Sequence, residues 1–514
     1  MDRLSGPDLP AEEGVPCHNQ DMVVWTETGD IGARLRRLAA ALDSIPEARE
    51  EWPFSTDVGR LARSVRDYLL PRVENTSRPL TVVIAGPTGA GKSTLLNSIA
   101  GADVSSTGAL RPTTRAPVAL VAEEHADDHR EIGGVECQLV TGGAPILKSM
   151  TLVDTPDVDS TETNHRIVAE TLVDHADIVV FVTSALRYAD AVPWQVLRRA
   201  RARGTDVITV LNRISPATAG AMVDFRTRLT AAGLGDHLLT IPEHHLAPEA
   251  DRLPGLAVRS LRKRLVGIAS SREAHAAATL QRVTAATAAQ VGALVDEIEQ
   301  LIERRDEFHD ELSFDLSSEL EAIALHGVTA GFHEELPEAG SGLRISRWLR
   351  RNRRRPEEIP PLETRLADRL TSLVRGEMRR LVEGYQPTPR REAITDVVDS
   401  QLATAVPSPV SEWLSFVRRI GEPQPGRQWS AEAALVDSAC SGRVTAEADV
   451  LFGADAGALV ERARRELVGR LQVIGAGVAA GITDLAYPGL GEVDLEGLRS
   501  AHAALVSRLA LVHA

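Results

Sequence analysis

The sequence contains few cysteines and few aromatic residues. Three cysteines are spread over 514 residues, and Phe, Trp and Tyr together make up 4% of the chain. Three scattered thiols argue against a disulfide framework or a zinc site and are typical of a protein of the reducing cytosol. The apolar residues are mostly Ala, Leu and Val, which favours helices packed through aliphatic side chains.

Positive charge and long apolar runs are also scarce. The chain has 57 Lys and Arg against 72 Asp and Glu, a formal net charge of −15. Proteins that hold nucleic-acid backbones need basic surfaces, so we expect no nucleic-acid partner. No apolar run of about 18 residues is present, which argues against a membrane-spanning helix. The polar, acidic N-terminus does not resemble a signal peptide. We expect a cytoplasmic protein, and peripheral attachment to a membrane stays open.

The residue pattern divides the chain into four stretches. Residues 1–28 are rich in Pro, Glu and Gly and predict a disordered N-terminus. Residues 29–77 carry apolar positions three or four apart, which is typical of helices. Residues 78–268 alternate strand and helix patterns, and continuous apolar strands such as 178–182 predict an α/β domain, a largely parallel sheet with helices on both faces. Strand patterns stop in residues 269–514, where we expect a helical neck or stalk that packs with the N-terminal helices into one bundle.

The predicted elements follow from these periodicities. Strands are predicted at residues 80–85, 117–122, 135–140, 150–154, 177–183, 206–212 and 238–241. Helices are predicted between them at residues 92–101, 163–174, 190–203 and 217–233. From residue 280 to 312, apolar positions three or four apart predict one long helix with a coiled-coil-like seam. Further helices are predicted at residues 362–385, 394–419, 430–450, 456–482 and 493–513.

One segment is the strongest indication of chemistry. Residues 86–93 match the phosphate-binding pattern G-x-x-x-x-G-K-[ST] and lie between a buried strand and a helix. Glycines let the backbone N–H groups face inward around phosphate oxygens, and the helix N-terminus adds further donors. Lys92 is expected to reach the β- and γ-phosphates, and the Ser93 hydroxyl to bind Mg²⁺. The candidate nucleotide-binding residues here are Gly86, Pro87, Thr88, Gly89, Ala90, Gly91, Lys92, Ser93 and Thr94.

Three further segments are candidates for the same site. Asp154 ends a buried strand and is predicted to act on Mg²⁺ as a Walker-B-type carboxylate. Thr113 and Thr114 lie in a polar loop before a strand, where a threonine can close over the nucleotide and add a second hydroxyl ligand to Mg²⁺. Residues 212–215 end another buried strand, where a loop that reads the base belongs.

In this order the four segments resemble the translation-factor-like class of P-loop GTPases and, within it, the dynamin-like large GTPases of bacteria, of the actinobacterial type. The resemblance covers about residues 78–268, and beyond them it rests on the flanking helices. It implies that Thr114 is the switch-I threonine, that residues 154–157 are the third motif and that residues 212–215 are the base-reading fourth motif. It also implies GTP and Mg²⁺ as cofactors, and a homodimer or a pairing with a related GTPase.

Two motifs depart from the family pattern. The third motif has Asp157 where the family has Gly, which places a negative charge near the γ-phosphate and predicts slow hydrolysis or an altered switch. The fourth motif has Ser215 where the family has an Asp that accepts two hydrogen bonds from guanine. Without those hydrogen bonds, the discrimination between guanine and other bases should fall by about 1–3 kcal/mol. Asn212 and Arg213 stay candidate base contacts, with Arg213 stacking as the usual Lys does. GTP is expected, and ATP stays open.

The group that positions the attacking water is not evident. Dynamins carry Gln-Ser where this chain has Thr88 and Gly89, and those side chains position the attacking water. Thr88, Thr114 or a group from a partner are the alternatives for that role in this chain. Lys92 is the other predicted catalytic residue. A nucleotide-binding switch or scaffold with negligible hydrolysis is therefore the alternative function. An ATPase subunit of a transporter is a third, and the sequence lacks the signature motif that such subunits need.

A basic segment lies in the helical half, between residues 342 and 356. It holds seven arginines, the first Arg344 and the last Arg355, interleaved with apolar side chains such as Trp348. It falls where dynamin-like proteins place a membrane-contacting tip, so an anionic membrane surface is one interpretation. A solvated basic loop is the other main interpretation, and a nucleic-acid or protein partner is the third.

Overall fold

The computed structural model describes residues 28–45, 55–106, 116–160, 163–234, 238–244, 252–322, 405–421, 428–441 and 443–513, with isolated positions between 364 and 400. The chain divides into two compact units, Met1–Glu297 with Asp494–Ala514, and Ile298–Val493. The predicted boundaries after residues 28, 77 and 268 stay predictions. Residues 1–27 of the predicted disordered N-terminus, the basic segment at 342–356, and Thr113 and Thr114 lie outside the described residues.

The first unit contains a seven-stranded sheet in the order β5-β2-β6-β1-β7-β8-β9. Its strands are β1 (Leu80–Ala85), β2 (Val118–Val121), β5 (Gln138–Thr141), β6 (Met150–Asp154), β7 (Ile178–Ser184), β8 (Asp206–Ile214) and β9 (Leu238–Pro242). A separate hairpin consists of β3 (Glu131–Ile132) and β4 (Val135–Glu136). Strands β2 and β6 pair antiparallel, and the other five neighbouring pairs are parallel. The prediction of a largely parallel sheet is confirmed.

The predicted strand at residues 135–140 is two strands, because the chain changes its pairing partner at Cys137. The Cys137 N–H donates to the Arg130 carbonyl on the hairpin side, at 2.9 Å. The next N–H, of Gln138, donates to the Pro117 carbonyl, at 2.8 Å, where the pairing with β2 begins. A period-two pattern does not report which neighbour a strand pairs with, so this division was not predicted.

The helices are α1 (Thr28–Ser44), α2 (Ser55–Arg63), α3 (Leu70–Glu74), α4 (Lys92–Ala100), α5 (Thr163–Asp174), α6 (Ala191–Ala202), α7 (Ala219–Ala231), α8 (Arg259–Ser270), α9 (Arg272–Ala322), α10 (Pro407–Ile420), α11 (Gln428–Ser441), α12 (Ala446–Phe452), α13 (Ala456–Ala486) and α14 (Leu495–His513). A π-helical segment, Ser64–Leu69, joins α2 to α3. Within the first unit α1 packs against α14, so helices from the two ends of the sequence meet there.

Apolar side chains alternate between the two faces of the sheet. In β1, Val82 and Ile84 belong to one buried cluster and Val83 and Ala85 to the other. The first cluster includes residues of α4 and α8, and the second includes residues of α5, α6 and α7. Burial on both faces explains why the strand sequences are continuously apolar.

The N-terminal helices are attached to the sheet through a buried carboxylate, Asp177, just before β7. Asp177 accepts hydrogen bonds from the Thr81 N–H at 2.6 Å and the Tyr68 hydroxyl at 2.8 Å, and it pairs with Arg72. The Arg203 guanidinium lies over the Tyr68 ring, 4.0 Å from its centroid. Burial raises the pKa of Tyr68, and the Asp177 carboxylate raises it further, so the phenol keeps the proton that it donates.

The described residues of the second unit are mostly helical. Trp413 of α10 is fully buried, and its indole N–H donates to the Ala463 carbonyl of α13 at 2.7 Å. The predicted long helix is confirmed as the 51-residue α9, of which residues 298–322 belong to this unit. The helix predicted at residues 430–450 is two helices, because the Thr445 hydroxyl accepts from the Ala448 N–H and starts α12. No helix among the described residues is both long and apolar enough to span a membrane.

Candidate nucleotide-binding site

The phosphate loop connects β1 to α4 and approaches two neighbouring strands very closely. A Cβ on Gly86 would lie 1.9 Å from the Val182 carbonyl oxygen. A Cβ on Gly91, whose φ is +97°, would lie 2.6 Å from the Asn212 Nδ2. Both positions therefore exclude a side chain for steric reasons, which is what the glycine spacing of the loop predicts.

Lys92 lies at the start of α4 and is buried, with 6% of its side chain exposed. Its ammonium group pairs with Asp157 in the loop after β6, and it is 3.4 Å from the Pro87 carbonyl oxygen. A buried ammonium group needs an anionic partner, and Asp157 supplies one within the chain. The sequence predicted a negative charge near the γ-phosphate, but it did not reveal this direct ion pair.

Asp154 and Ser93 meet at the end of β6. The Asp154 Oδ2 accepts hydrogen bonds from the Ser93 hydroxyl at 2.5 Å and the Ser105 hydroxyl at 2.7 Å, while the buried Oδ1 has no hydrogen-bond partner. Burial raises the pKa of Asp154, and the Lys92 ammonium opposes that shift. A buried, unpaired carboxylate oxygen beside a serine hydroxyl suits Mg²⁺, which prefers oxygen ligands. No motif indicated Ser105.

The predicted base-reading residues have different surroundings. Asn212 is buried; its Nδ2 donates to the Ala90 carbonyl at 2.8 Å, so it braces the phosphate loop. Arg213 is exposed and has a left-handed backbone, with a φ of +58°. The Ser215 N–H and hydroxyl bond the Thr218 hydroxyl, at 3.0 and 3.1 Å, in a capping box. Direct contact of these three residues with a base stays a prediction.

Two residues that sequence reasoning missed contact the phosphate loop. Asp159 accepts from the Thr88 N–H at 2.7 Å and from the Thr88 hydroxyl at 2.8 Å. Arg187, in the loop after β7, pairs with Asp159 at 2.8 Å and donates to the Thr88 carbonyl at 3.0 Å. Neither residue belongs to a motif, and no pattern in the sequence places them together.

Comparison with known proteins identifies the domain around this loop. Residues 81–213 match the family model described as 50S ribosome-binding GTPase. The chain is 31% identical over 126 residues to the probable transmembrane GTPase FZO-like, chloroplastic, of Arabidopsis thaliana, a match that spans 23% of this chain and 13% of that protein. The prediction of a P-loop GTPase domain is confirmed.

Two solved structures are also similar. One is an oligomerised bacterial dynamin pair, at 12% identity, 93% coverage of this chain, 95% of the other and a TM-score of 0.33. The other is Toc33 from Arabidopsis thaliana in complex with Mg²⁺ and GMPPNP. The likeness covers 44% of this chain and 96% of the Toc33 chain, at 15% identity and a TM-score of 0.26. Both TM-scores are below 0.5, so the resemblance to bacterial dynamins rests on the sequence motifs, and the actinobacterial type stays a prediction.

Proposed function

We propose that this chain, whose residues 81–213 form a P-loop GTPase domain, is a Mg²⁺-dependent GTP-binding protein and a slow, dynamin-like GTPase. Its nucleotide state would change the conformation of the helical regions. The observation that carries the proposal is the buried Lys92 ammonium inside a glycine loop, beside a carboxylate with an unpaired oxygen. Those groups provide a cation for the phosphates and an oxygen ligand for a metal ion.

Each group has a separate task in this proposal. Lys92 would bind the β- and γ-phosphates, and Ser93 and Asp154, with Thr114, would hold Mg²⁺. Bound Mg²⁺ neutralises charge that develops on the phosphate oxygens during phosphoryl transfer. Thr88, in the same loop as Lys92, would contact the attacking water.

The first experiment is to measure binding of labelled GTP and ATP analogues with Mg²⁺, followed by phosphate release from GTP with and without anionic liposomes. We expect tighter binding of GTP than of ATP and slow release of phosphate. Equal binding of both nucleotides would contradict the preference for guanine. Tight GTP binding without phosphate release would favour the alternative, a switch or scaffold, for which the Lys92–Asp157 pair is the supporting observation.

Asp157 is expected to weaken nucleotide binding, because the γ-phosphate must displace its carboxylate from Lys92. We predict that Asp157→Asn, which removes the charge at nearly constant volume, tightens binding of a non-hydrolysable GTP analogue about 10-fold, or about 1.4 kcal/mol. GDP, which lacks the γ-phosphate, should gain less. The matched control is Asp103→Asn, since Asp103 is exposed and pairs with Arg252. Unchanged affinity in Asp157→Asn would contradict the competition.

Ser215 is expected to limit base selectivity. We predict that Ser215→Asp raises the preference for GTP over ATP by about 10-fold, because a carboxylate accepts two hydrogen bonds from the guanine edge. Asp also starts helices well, so the short helix at Pro216–Thr218 should keep its cap. Competition between GTP and ATP for a fluorescent nucleotide measures the ratio. A ratio that does not change would mean that residue 215 does not face the base.

Partners and location complete the proposal. We propose that the GTPase acts as a homodimer or in a pair with a related GTPase, since its own water-positioning residue departs from the dynamin pattern. We propose a cytoplasmic location with attachment to anionic membranes through Arg344, Arg355 and the arginines between them. Sedimentation with and without a GTP analogue tests whether the chain dimerises. Co-sedimentation with anionic liposomes tests the membrane attachment separately.

A further inference from the structure

Thr88 of the phosphate loop is hydrogen-bonded through its amide, its hydroxyl and its carbonyl to two other loops. The Asp159 Oδ1 accepts from both the Thr88 N–H, at 2.7 Å, and the Thr88 Oγ1, at 2.8 Å. The Arg187 Nη1 donates to the Thr88 carbonyl at 3.0 Å. The three residues come from the loops after β1, β6 and β7, which end at the same edge of the parallel strands.

Arg187 fixes the Asp159 carboxylate in place. Its Nη2 lies 2.8 Å from the Asp159 Oδ2, and its Nε donates to Asp190 at 3.0 Å. A guanidinium is a rigid, planar fork, so three simultaneous contacts define its orientation. The Asp159 side chain is 11% exposed, whereas the Arg187 side chain is 37% exposed, so the pair is buried on the carboxylate side.

The other residues of the loop after β6 are engaged elsewhere. The Thr155 hydroxyl donates to the Ile84 carbonyl at 3.0 Å, and Asp157 pairs with Lys92. Val158 is fully buried in the apolar cluster beneath the sheet. Of residues 155–159, Asp159 is thus the one whose side chain is bonded to Thr88 in this structure.

We propose that Asp159 and Arg187 are positioning residues for GTP hydrolysis, which orient the Thr88 hydroxyl so that its oxygen accepts a hydrogen bond from the attacking water. The inference rests on the proposed GTPase function. A hydroxyl has one proton, and when this proton is donated to Asp159 the Thr88 oxygen presents its lone pairs. Arg187 keeps Asp159 in the acceptor role by holding its carboxylate.

The ionisation of Asp159 agrees with that role. Burial by itself raises the pKa of the carboxyl, but the hydrogen bonds from Thr88 and the charge of Arg187 outweigh it and bring the pKa below its ordinary value. An ionised carboxylate accepts hydrogen bonds and donates none. Asp159 therefore holds the Thr88 hydroxyl in one orientation at neutral pH.

In the reaction, the water oxygen forms a bond to the γ-phosphorus as the bond from that phosphorus to the bridging oxygen breaks. The electron pair of the broken bond stays on GDP, and one water proton passes to a phosphate oxygen, which gives inorganic phosphate. The second water O–H donates its hydrogen bond to Thr88 and is not transferred. Thr88 thus orients the nucleophile without acting as a base.

The experiment compares steady-state GTP hydrolysis by the full chain and four variants, with the Kd for fluorescent GDP measured in parallel. We expect Thr88→Val and Asp159→Asn each to lower kcat about 10- to 100-fold, because misplaced reacting groups cost factors of that size. KM and the Kd for GDP should change less than about 3-fold. Thr88→Ser, which keeps the hydroxyl, should retain kcat within about 3-fold. The Thr88→Val/Asp159→Asn double variant should lose no more than either single variant, because the two act as a unit.

The matched control is Asp174→Asn, which breaks an Asp–Arg pair of similar burial, with Arg199, away from the phosphate loop. Asp174→Asn should keep kcat within about 2-fold. If the loss of any Asp–Arg pair lowered kcat, Asp174→Asn would lower it as much as Asp159→Asn does. Normal kcat in Thr88→Val, or multiplicative losses in the double variant, would overturn the inference and leave the GTPase function standing. A wild-type chain that binds GTP but releases no phosphate would overturn both.

Discussion

Lys92→Ala is expected to weaken binding of GTP at least about 100-fold, or about 2.7 kcal/mol. The Lys92 ammonium is buried at the centre of the phosphate loop, and its hydrogen bonds to phosphate oxygens would be charge-assisted. The substitution also leaves the Asp157 carboxylate without its cation, beside the position of the phosphates. Both effects act in the same direction, so this is the largest change in binding that we expect from a single residue.

Titration of a fluorescent GTP analogue with Mg²⁺ measures the loss. Lys148→Ala is the matched control, because Lys148 is an exposed lysine of the same domain, just before β6, and should bind as the wild type does. The double variant Lys92→Ala/Asp157→Asn separates the two effects, since it removes the repulsive carboxylate and should recover part of the loss. Wild-type affinity in Lys92→Ala would show that the phosphates bind elsewhere.

Asp177→Ala is expected to lower the free energy of unfolding of the first unit by about 3–5 kcal/mol, as removal of one partner from a buried ion pair does. Asp177 is 2% exposed and satisfies the Thr81 N–H, the Tyr68 hydroxyl and the Arg72 guanidinium. Without it, the Arg72 charge stays in a poorly solvated place and two buried donors lose their acceptor. The N-terminal helices should then detach from the sheet more readily.

Hydrogen exchange of peptides from β1, β7 and the Ser64–Leu69 segment locates the effect, and denaturant unfolding measures its size. Asp43→Ala is the control, because Asp43 pairs with Arg66 at an exposed position and such pairs contribute at most about 1 kcal/mol. Equal exchange in Asp177→Ala and the wild type would show that apolar contacts alone hold these helices. A uniform rise in exchange over all strands would indicate global destabilisation without local detachment.

Sequence pattern predicted the elements of the α/β domain well. Helix α5 and strands β1 and β6 have the predicted bounds, and the long seam of apolar residues forms the single helix α9. These features are local, since periodicity within elements of 5 to 51 residues reports which face of an element is buried. The phosphate loop was predictable for the same reason, because its glycines, lysine and serine are contiguous.

Pairings between distant residues could not be predicted in this way. Lys92 and Asp157 are 65 residues apart, Thr88 and Asp159 are 71 apart, and Tyr68 and Asp177 are 109 apart. A local pattern does not encode which loops meet, because that depends on the order of the strands in the sheet. The antiparallel pairing of β2 with β6 and the change of pairing partner at Cys137 were not predictable for the same reason.

The contiguous loop at residues 86–93 was enough to predict a place for the phosphates of a nucleotide. Which side chains surround that loop depends on how the strands are ordered in three dimensions. The order of β6, β1, β7 and β8 brings Asp154, Asp157, Asp159, Arg187 and Asn212 to one edge of the sheet, around the loop. Charges and hydrogen bonds act over a few ångströms through space, and the fold sets those distances.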